Sequence, residues 1–211
     1  MFKRQSLIIV FVFFALLLLC SSIYWKGLKG GFIFDDFVNL QELGTYGTID
    51  NFDKFRAFVT NGFSGPTGRP VSLASFLIDD YTWPTQAPLF KYTNLMIHLL
   101  NATLLFWATL LLLKNYQYEE KKATWIALVS FGLWLLHPYF VSTTLYVVQR
   151  MAQLTTLFSL VGIIGYLKAR CYVTEKPIFS YFFMAFILGI STLLATFSKE
   201  NGALLPAKFF D

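Results

Sequence analysis

The chain has 211 residues, of which 56% are hydrophobic, 19% are aromatic and only 14% are charged, and its formal net charge is +5 at pH 7. A soluble domain of this size carries roughly 25% charged residues, so the composition excludes an ordinary soluble protein and predicts an integral membrane protein. The Lys and Arg residues flank the apolar runs and form no stripe with interleaved aromatic side chains. Membrane lipids are therefore expected partners, and nucleic acid is not.

Five apolar segments follow one another along the chain, and they predict an all-α polytopic membrane protein with about five transmembrane helices. They cover residues 7–24, 92–113, 123–136, 151–167 and 178–197. The first segment gives roughly 27 Å of helix, which is just enough to cross the bilayer core. It also fits a signal peptide with a basic start, but it lacks an Ala-x-Ala cleavage site, so an uncleaved span is favoured. The third segment is short, because His137-Pro138 breaks the helical pattern.

The distribution of basic residues predicts that the N-terminus lies in the cytoplasm. Lys3 and Arg4 precede the first segment, and the loops 114–122 and 168–177 are rich in lysine and arginine. This topology places eight basic and three acidic residues on the cytoplasmic side, and nine of each on the other side. The bias follows the positive-inside rule and favours an odd number of crossings.

The stretch between the first two segments, about residues 25–91, is predicted to be a structured exoplasmic loop. Residues 51–61 and 69–81 mix aromatic and polar side chains, which predicts short helices lying in the membrane interface. Glycines and a proline within 62–68 indicate a break between these two helices.

Two adjacent carboxylates, Asp35 and Asp36, lie between aromatic residues shortly after the first segment. If the pair lies in a partly apolar opening at the end of the first span, desolvation and the neighbouring charge raise the pKa of one carboxyl group. A raised pKa suits a general base that acts on a hydroxyl group. The alternative is a charge pair that caps or anchors a helix of the loop. A second pair, Asp79-Asp80, precedes a turn and is predicted to lie in a solvated loop.

Three cations on the predicted exoplasmic side are candidates for binding a phosphate. Arg150 precedes the fourth segment, and its guanidinium group can donate two parallel hydrogen bonds to a phosphate; the alternative is an arginine that reaches the interface. Lys199 is followed by Glu200, and the two form either a simple ion pair or a phosphate-binding cation beside a helper acid. Arg69, between Gly68 and Pro70, is the third.

Two histidines are further polar candidates. The main role expected of His137 is to terminate the third segment, and the second interpretation is a polar ligand. His98 lies with Asn94 and Asn101 on one face of the second segment, which predicts packing against other helices because polar groups in lipid need internal partners. No metal-ligand spacing is present, so no metal ligand is assigned, although two adjacent carboxylates are able to contact a divalent cation.

Five short motifs occur in an order that resembles one known family. They are Phe32-Ile33-Phe34-Asp35-Asp36, Gly68-Arg69-Pro70-Val71-Ser72-Leu73, Lys91-Tyr92-Thr93-Asn94 with His98 and Asn101, His137-Pro138 with Gln149-Arg150-Met151, and Ser198-Lys199-Glu200-Asn201-Gly202. Across residues from about 7 to 206 the chain resembles the N-terminal membrane part of the transmembrane-and-TPR O-mannosyltransferases and their bacterial relatives. These belong to the GT-C class of polytopic glycosyltransferases, which use sugars linked to lipid phosphates.

The resemblance implies an activity and roles for residues. A sugar would move from a polyprenyl-phosphate-linked donor to a hydroxyl group of a protein or glycan acceptor. The resemblance assigns no cofactor to this reaction. Asp35 or Asp36 would be the base, and Glu200 would assist. Arg150, Lys199 and Arg69 would surround the donor phosphate.

Members of this class usually have seven or more core spans, so residues 1–211 are expected to form one transmembrane domain from the N-terminal part of a larger module. The absence of glycosylation sequons outside the predicted spans favours a bacterial inner membrane. The alternative function is a non-catalytic membrane subunit, or a truncated remnant, that binds lipid-linked sugars during assembly of envelope glycans.

Overall fold

The computed structural model describes residues 2–45, 47–62 and 65–209, and every regular element in these ranges is helical. The predicted all-α fold is therefore confirmed for the described residues. Part of the predicted orientation rests on Lys3 and Arg4. Their side chains are not among those that the structure describes. The α-helices are α1 (Phe2–Trp25), α2 (Asp35–Leu40), α3 (Glu42–Thr45), α4 (Phe52–Thr60), α5 (Pro70–Phe76), α6 (Ala87–Asn115), α7 (Glu120–Leu135), α8 (Phe140–Leu145), α9 (Arg150–Arg170) and α10 (Pro177–Ser198).

Four of these helices, α1, α6, α9 and α10, are long and apolar enough to cross a membrane. They cover the first, second, fourth and fifth predicted segments, because each of those segments is one apolar run without an internal breaker. Short 3-10 helices extend the pattern at Gly27–Lys29, Val147–Gln149, Glu200–Leu204 and Pro206–Phe209.

α7 corresponds to the third predicted segment and has 16 residues. It runs antiparallel to α6: Lys114 and Glu120 form a salt bridge where the two helices are joined, and His98 Nε2 lies 3.0 Å from the carbonyl oxygen of Leu135 at the other end of α7. α7 also packs against α1. α7 thus carries the chain back toward the end of the bundle at which α6 begins.

Small residues bring α9 close to α10. A Cβ atom at Gly162 would lie 2.9 Å from Ser191 Cβ, and one at Gly165 would lie 2.6 Å from Ile187 Cγ1. Glycine at these two positions removes the clash, and close approach of backbones is what stabilises helix pairs in lipid, where no hydrophobic force drives them together. α9 also packs against α6, so it lies between two long neighbours.

The described residues between α1 and α6 form a compact layer at one end of the bundle. Helices α4 and α5 occur at the two predicted stretches of this loop; Asn51 caps α4 by accepting from the Lys54 amide at 3.0 Å, and Pro70 begins α5. The placement of these helices in the membrane interface stays a prediction. The layer shares one cluster of nine buried side chains with the start of α6 and of α9: Leu40, Leu43, Phe58, Leu73, Phe76, Phe90, Val147, Val148 and Met151.

Candidate functional site

A polar cleft of about 320 Å³ opens at the end of the bundle that carries this layer. Three of the predicted site residues line it: Asp35 from the start of α2, Arg69 before α5, and Lys199 after α10. The rest of the wall is Val38, Asn39, Val148, Gln149 and Met151. The cleft therefore combines a carboxylate and two cations that are far apart in the sequence.

Asp35 is the exposed member of the acidic pair. The preceding residue, Phe34, has φ +43°, a rarely populated backbone conformation, and this sharp turn begins α2. The Asp35 amide donates a 3.0 Å hydrogen bond to the hydroxyl of Tyr146, which lies just before the Val147–Gln149 turn. That turn contributes Val148 and Gln149 to the cleft wall, so α2 and the start of α9 hold Asp35 between them.

Tyr146 is a site residue that the sequence did not indicate. Partial burial raises the pKa of its phenol and the negative charge of Asp35 also raises it, while the hydrogen bond from the Asp35 amide acts in the opposite direction. The hydroxyl thus stays neutral and accepts from the backbone N–H group of Asp35. A single tyrosine in an unpatterned connection carries no sequence signal for this role.

Asp36 has a different environment from its neighbour, because its side chain is completely buried. One carboxylate oxygen accepts from the Ile33 amide at 3.0 Å, and the other accepts from the Val148 amide at 2.8 Å. Burial raises the pKa of Asp36, while these hydrogen bonds and the charge of Lys91 act in the opposite direction. Asp36 does not line the cleft and instead ties the start of α2 to the turn before α9.

Arg69 and Glu200 form an ion pair across the rim of the cleft, although they are 131 residues apart. Arg69 Nη2 lies 2.9 Å from Glu200 Oε2, and Arg69 Nε lies 3.1 Å from Oε1. Arg69 itself has φ +54°, so its backbone is held in the left-handed region. The hydrogen bonds from Arg69 lower the pKa of Glu200.

The loop before Arg69 fits closely around Glu200. Gly65 has φ +79°, and a Cβ atom there would lie 2.2 Å from Glu200 Oε1, so only glycine is accommodated. Thr67 donates a 3.2 Å hydrogen bond to the same oxygen. Glu200 is therefore enclosed by 65–69 and serves to orient Arg69.

Lys199 lies where the cleft meets a second groove. This groove has a volume of about 420 Å³ and follows one face of α9, and both Lys199 and Asn201 line it. Its walls are Ala152, Thr155, Thr156, Ser159, Leu160, Ile163, Leu204 and Leu205. Thr155 and Thr156 donate their hydroxyl hydrogens to backbone carbonyls of α9 at 3.0 Å, which leaves largely apolar surface facing the groove.

Arg150, predicted to bind a phosphate, is not among the cleft residues. Its side chain is completely buried and pairs with Asp79 at 2.5 Å, and Asp79 is itself 4% exposed. Its other donors contact Asn94 Oδ1 at 2.7 Å, Ser75 O at 2.9 Å and Phe90 O at 2.8 Å. Because its side chain is enclosed by these partners, Arg150 presents no exposed group to a ligand in the cleft. The prediction that Asp79 is solvated is also wrong, because it is the counter-ion of this arginine.

The two histidines also lie away from the cleft. His98 is 1% exposed, stacks on Trp134 with ring centroids 4.9 Å apart, and contacts the end of α7. Its predicted packing against other helices is confirmed, and a role in the cleft is not supported by this position. His137 is exposed and accepts from the Tyr139 amide at 3.2 Å, which is a local contact of the turn after α7.

The described residues contain no group of three or more His, Cys, Asp or Glu side chains that could hold a metal ion. Comparison of the chain with family models, with curated proteins and with solved structures finds no match. The resemblance to GT-C glycosyltransferases thus stays a prediction.

Proposed function

We propose that the chain is a membrane glycosyltransferase that moves a sugar from a polyprenyl-phosphate-linked donor to a hydroxyl group of a protein or glycan. The observation that carries the proposal is the cleft itself. It places the exposed carboxylate of Asp35 together with the cations of Arg69 and Lys199, at the mouth of an apolar groove along a long membrane helix. A lipid-linked sugar phosphate has these three parts in the same order: an apolar chain, a charged phosphate and a polar sugar.

Lys199 is the cation best placed for the donor phosphate. It lines both the cleft and the groove, and it forms no salt bridge within the described part of the chain. Arg69 offers a second positive group, but Glu200 neutralises part of its charge. Glu200 is accordingly a positioning residue, and Lys199 carries the larger share of phosphate binding.

The groove along α9 suits the polyprenyl chain. Leu160, Ile163 and Leu205 supply apolar surface, and the hydroxyl groups of Thr155 and Thr156 are satisfied inside the helix. A polyprenyl chain has no hydrogen-bonding groups, so it can lie on the apolar part of this wall while Thr155 and Thr156 keep their partners.

Asp35 is the proposed base. As the acceptor oxygen attacks the anomeric carbon, its proton passes to Asp35, the new glycosidic bond forms, and the bond from that carbon to the phosphate oxygen breaks. The departing phosphate gains negative charge beside Lys199, so this cation stabilises the transition state more than the bound donor. Tyr146 holds the backbone of Asp35 in place, and Asp36 ties the same turn to the start of α9.

We also propose that α7 is a fifth crossing, which gives the odd number that the charge distribution favours. Its 16 residues span roughly 24 Å, and α8 with the Val147–Gln149 turn continues the path to the cleft. With the N-terminus in the cytoplasm of a bacterial cell, the cleft faces the exoplasmic side of the inner membrane, where lipid-linked donors and acceptors meet.

The decisive experiment compares sugar release by the full chain and by Asp35→Asn in lipid nanodiscs. The probes are radiolabelled polyprenyl-phosphate hexoses, and the measurement is the rate at which free polyprenyl phosphate appears with an acceptor present. We expect Asp35→Asn to lower this rate at least about 100-fold, the usual minimum for loss of a general base. The matched control is Asp53→Asn, which removes an exposed carboxylate of α4 in the same layer and leaves the rate unchanged.

Equal rates for the wild type and Asp35→Asn would refute the assignment. Binding of polyprenyl phosphate that depends on Lys199, without sugar release by any variant, would instead support the non-catalytic binding subunit.

A further inference from the structure

An apolar pocket of about 160 Å³ lies at the end of the bundle opposite the cleft, between the last turn of α9 and the first turns of α10. Its lining residues are Lys168, Ala169, Tyr172, Phe179, Ser180 and Phe183. Tyr172 is 56% exposed and Phe179 is 65% exposed, so the pocket opens on the outer surface of the helices. The residues of the proposed glycosyltransferase site take no part in it.

The hydroxyl of Ser180 points to a missing partner in this pocket. Ser180 is 1% exposed, and among the described residues its Oγ atom has no hydrogen-bond partner. Other helical serines of this chain, Ser22 and Ser198 for example, donate to the carbonyl four residues earlier, at 2.8 Å. A buried hydroxyl without a partner costs free energy, so a ligand that accepts from Ser180 is favoured.

Positive charge surrounds the pocket. Lys168, Arg170 and Lys176 form no salt bridge within the described ranges, and Glu175 is the one carboxylate in this turn. The N-terminus of α10 adds its own partial positive charge, since no side chain caps it and no acidic residue occupies its first turn. The turn between α9 and α10 therefore has a local excess of positive charge.

Lys168 is held at the edge of the pocket by a neighbouring helix. Its ammonium group lies 4.2 Å from the ring centroid of Trp107 on α6, which is a favourable cation–π distance. Trp107 is 40% exposed on the same surface. An aromatic ring beside a lysine is the arrangement expected at the level of lipid headgroups.

We infer that this pocket binds an anionic phospholipid. The phosphodiester lies against Lys168 and the N-terminus of α10, and an acyl chain lies between Tyr172, Phe179 and Phe183. Ser180 donates to an ester carbonyl of the same lipid. An anionic lipid is favoured over a neutral one because only its net charge compensates the unpaired cations, and a lipid is favoured over a free phosphate because the lining is largely aromatic and apolar.

The test is the binding of added lipid to the delipidated full chain, followed by native mass spectrometry. We expect phosphatidylglycerol to bind more tightly than phosphatidylcholine. Lys168→Gln and Lys176→Gln should each weaken binding of phosphatidylglycerol about fivefold, as expected for one cation near an anionic headgroup, and leave phosphatidylcholine unaffected. The matched control is Lys122→Gln, which removes an exposed cation of α7 outside the pocket and leaves both affinities unchanged.

Ser180→Ala gives an independent readout, because it should weaken both lipids and preserve their ratio. Equal affinity of the wild type for the two lipids would overturn the inference. So would displacement of phosphatidylglycerol by an equal concentration of inorganic phosphate, which would indicate a simple anion site. Loss of affinity in Lys122→Gln as large as in Lys168→Gln would show a non-specific charged surface and would also overturn it.

Discussion

Asp35 and Asp36 are adjacent and chemically identical, yet the fold gives them separate tasks. The side chain of Asp35 is exposed to the cleft, whereas that of Asp36 is buried with each oxygen accepting a backbone N–H group. Helical geometry explains the difference, because consecutive residues of α2 point about 100° apart and only one of them can face the Val148 amide.

Asp36→Asn should therefore affect stability. The amide side chain can accept from only one of the two N–H groups and turns its own NH₂ toward the other, which loses about 1–3 kcal/mol. We expect a lower midpoint of thermal unfolding in detergent for Asp36→Asn, and almost none of this loss for Asp35→Asn. Equal losses in the two variants would contradict the separation of roles.

The Arg69–Glu200 pair predicts a pH dependence of stability. Because Arg69 lowers the pKa of Glu200 from its ordinary value of 4.5, the pair stabilises the fold fully above that value and loses this effect as the pH falls through the folded-state pKa. The carboxylate side chain is 27% exposed, so the contribution is at most about 1 kcal/mol.

The corresponding measurement is thermal unfolding of the wild type and of Glu200→Gln across an acid titration. The difference in unfolding midpoint between the two proteins should be present at pH 7. It should vanish when the pH falls well below the ordinary pKa of glutamate. Glu119→Gln removes an exposed carboxylate that makes no salt bridge in the described residues, and it serves as the control without such a difference. A difference that grows on acidification would have the wrong sign.

At the scale of elements, the buried Arg150 joins three parts of the fold. It links the start of α9 to Asn94 of α6, to the end of α5 through Ser75, and to Asp79 in the connection between α5 and α6. Its guanidinium also lies 4.8 Å from the Phe76 ring centroid. This cluster fixes the loop layer on the membrane helices and so places the cleft.

Removing one partner of this ion pair should be costly. Arg150→Gln leaves the Asp79 carboxylate buried and uncompensated, which costs about 3–5 kcal/mol. We expect the double variant Arg150→Gln with Asp79→Asn to lose clearly less than the sum of the two single losses, as measured by unfolding free energies in a double-mutant cycle. Additive losses would show that the pair is not coupled.

The sequence predicted the long helices well, because α1, α6, α9 and α10 each follow from one apolar run. The parts that it could not predict depend on contacts between distant residues. Nothing in the spacing of Asp79 and Arg150 marks them as partners, so the sequence predicts a solvated acid and a phosphate-binding arginine instead. Likewise the adjacent carboxylates were indicated as a pair, but only the packing of the Val147–Gln149 turn decides which of them faces the cleft.

At the scale of the whole molecule, the orientation in the membrane can be tested with the two cysteines of the chain. Cys20 is buried, whereas Cys171 is exposed and lies beside Asn115 at the end opposite the cleft. We expect a membrane-impermeant maleimide to label Cys171 in inside-out vesicles and not in right-side-out ones.

Asp53→Cys in α4 should show the opposite labelling, since it lies in the layer that carries the cleft. If both cysteines were labelled from the same face, the proposed crossings would be wrong. If the pattern were reversed, the cleft would open to the cytoplasm, and the exoplasmic acceptors would be excluded.

The walls of the cleft come from opposite ends of the described chain, Asp35 near its start and Lys199 near its close. Translation and membrane insertion proceed from the N-terminus, so the long apolar helices α1 and α6 are made before Lys199 and Glu200 have been synthesised. During that interval Arg69 lacks its partner Glu200, and the cleft lacks the cation of Lys199. The cleft thus becomes complete only when α10 has been inserted, and a nascent chain stalled before that helix would be a membrane protein without a site.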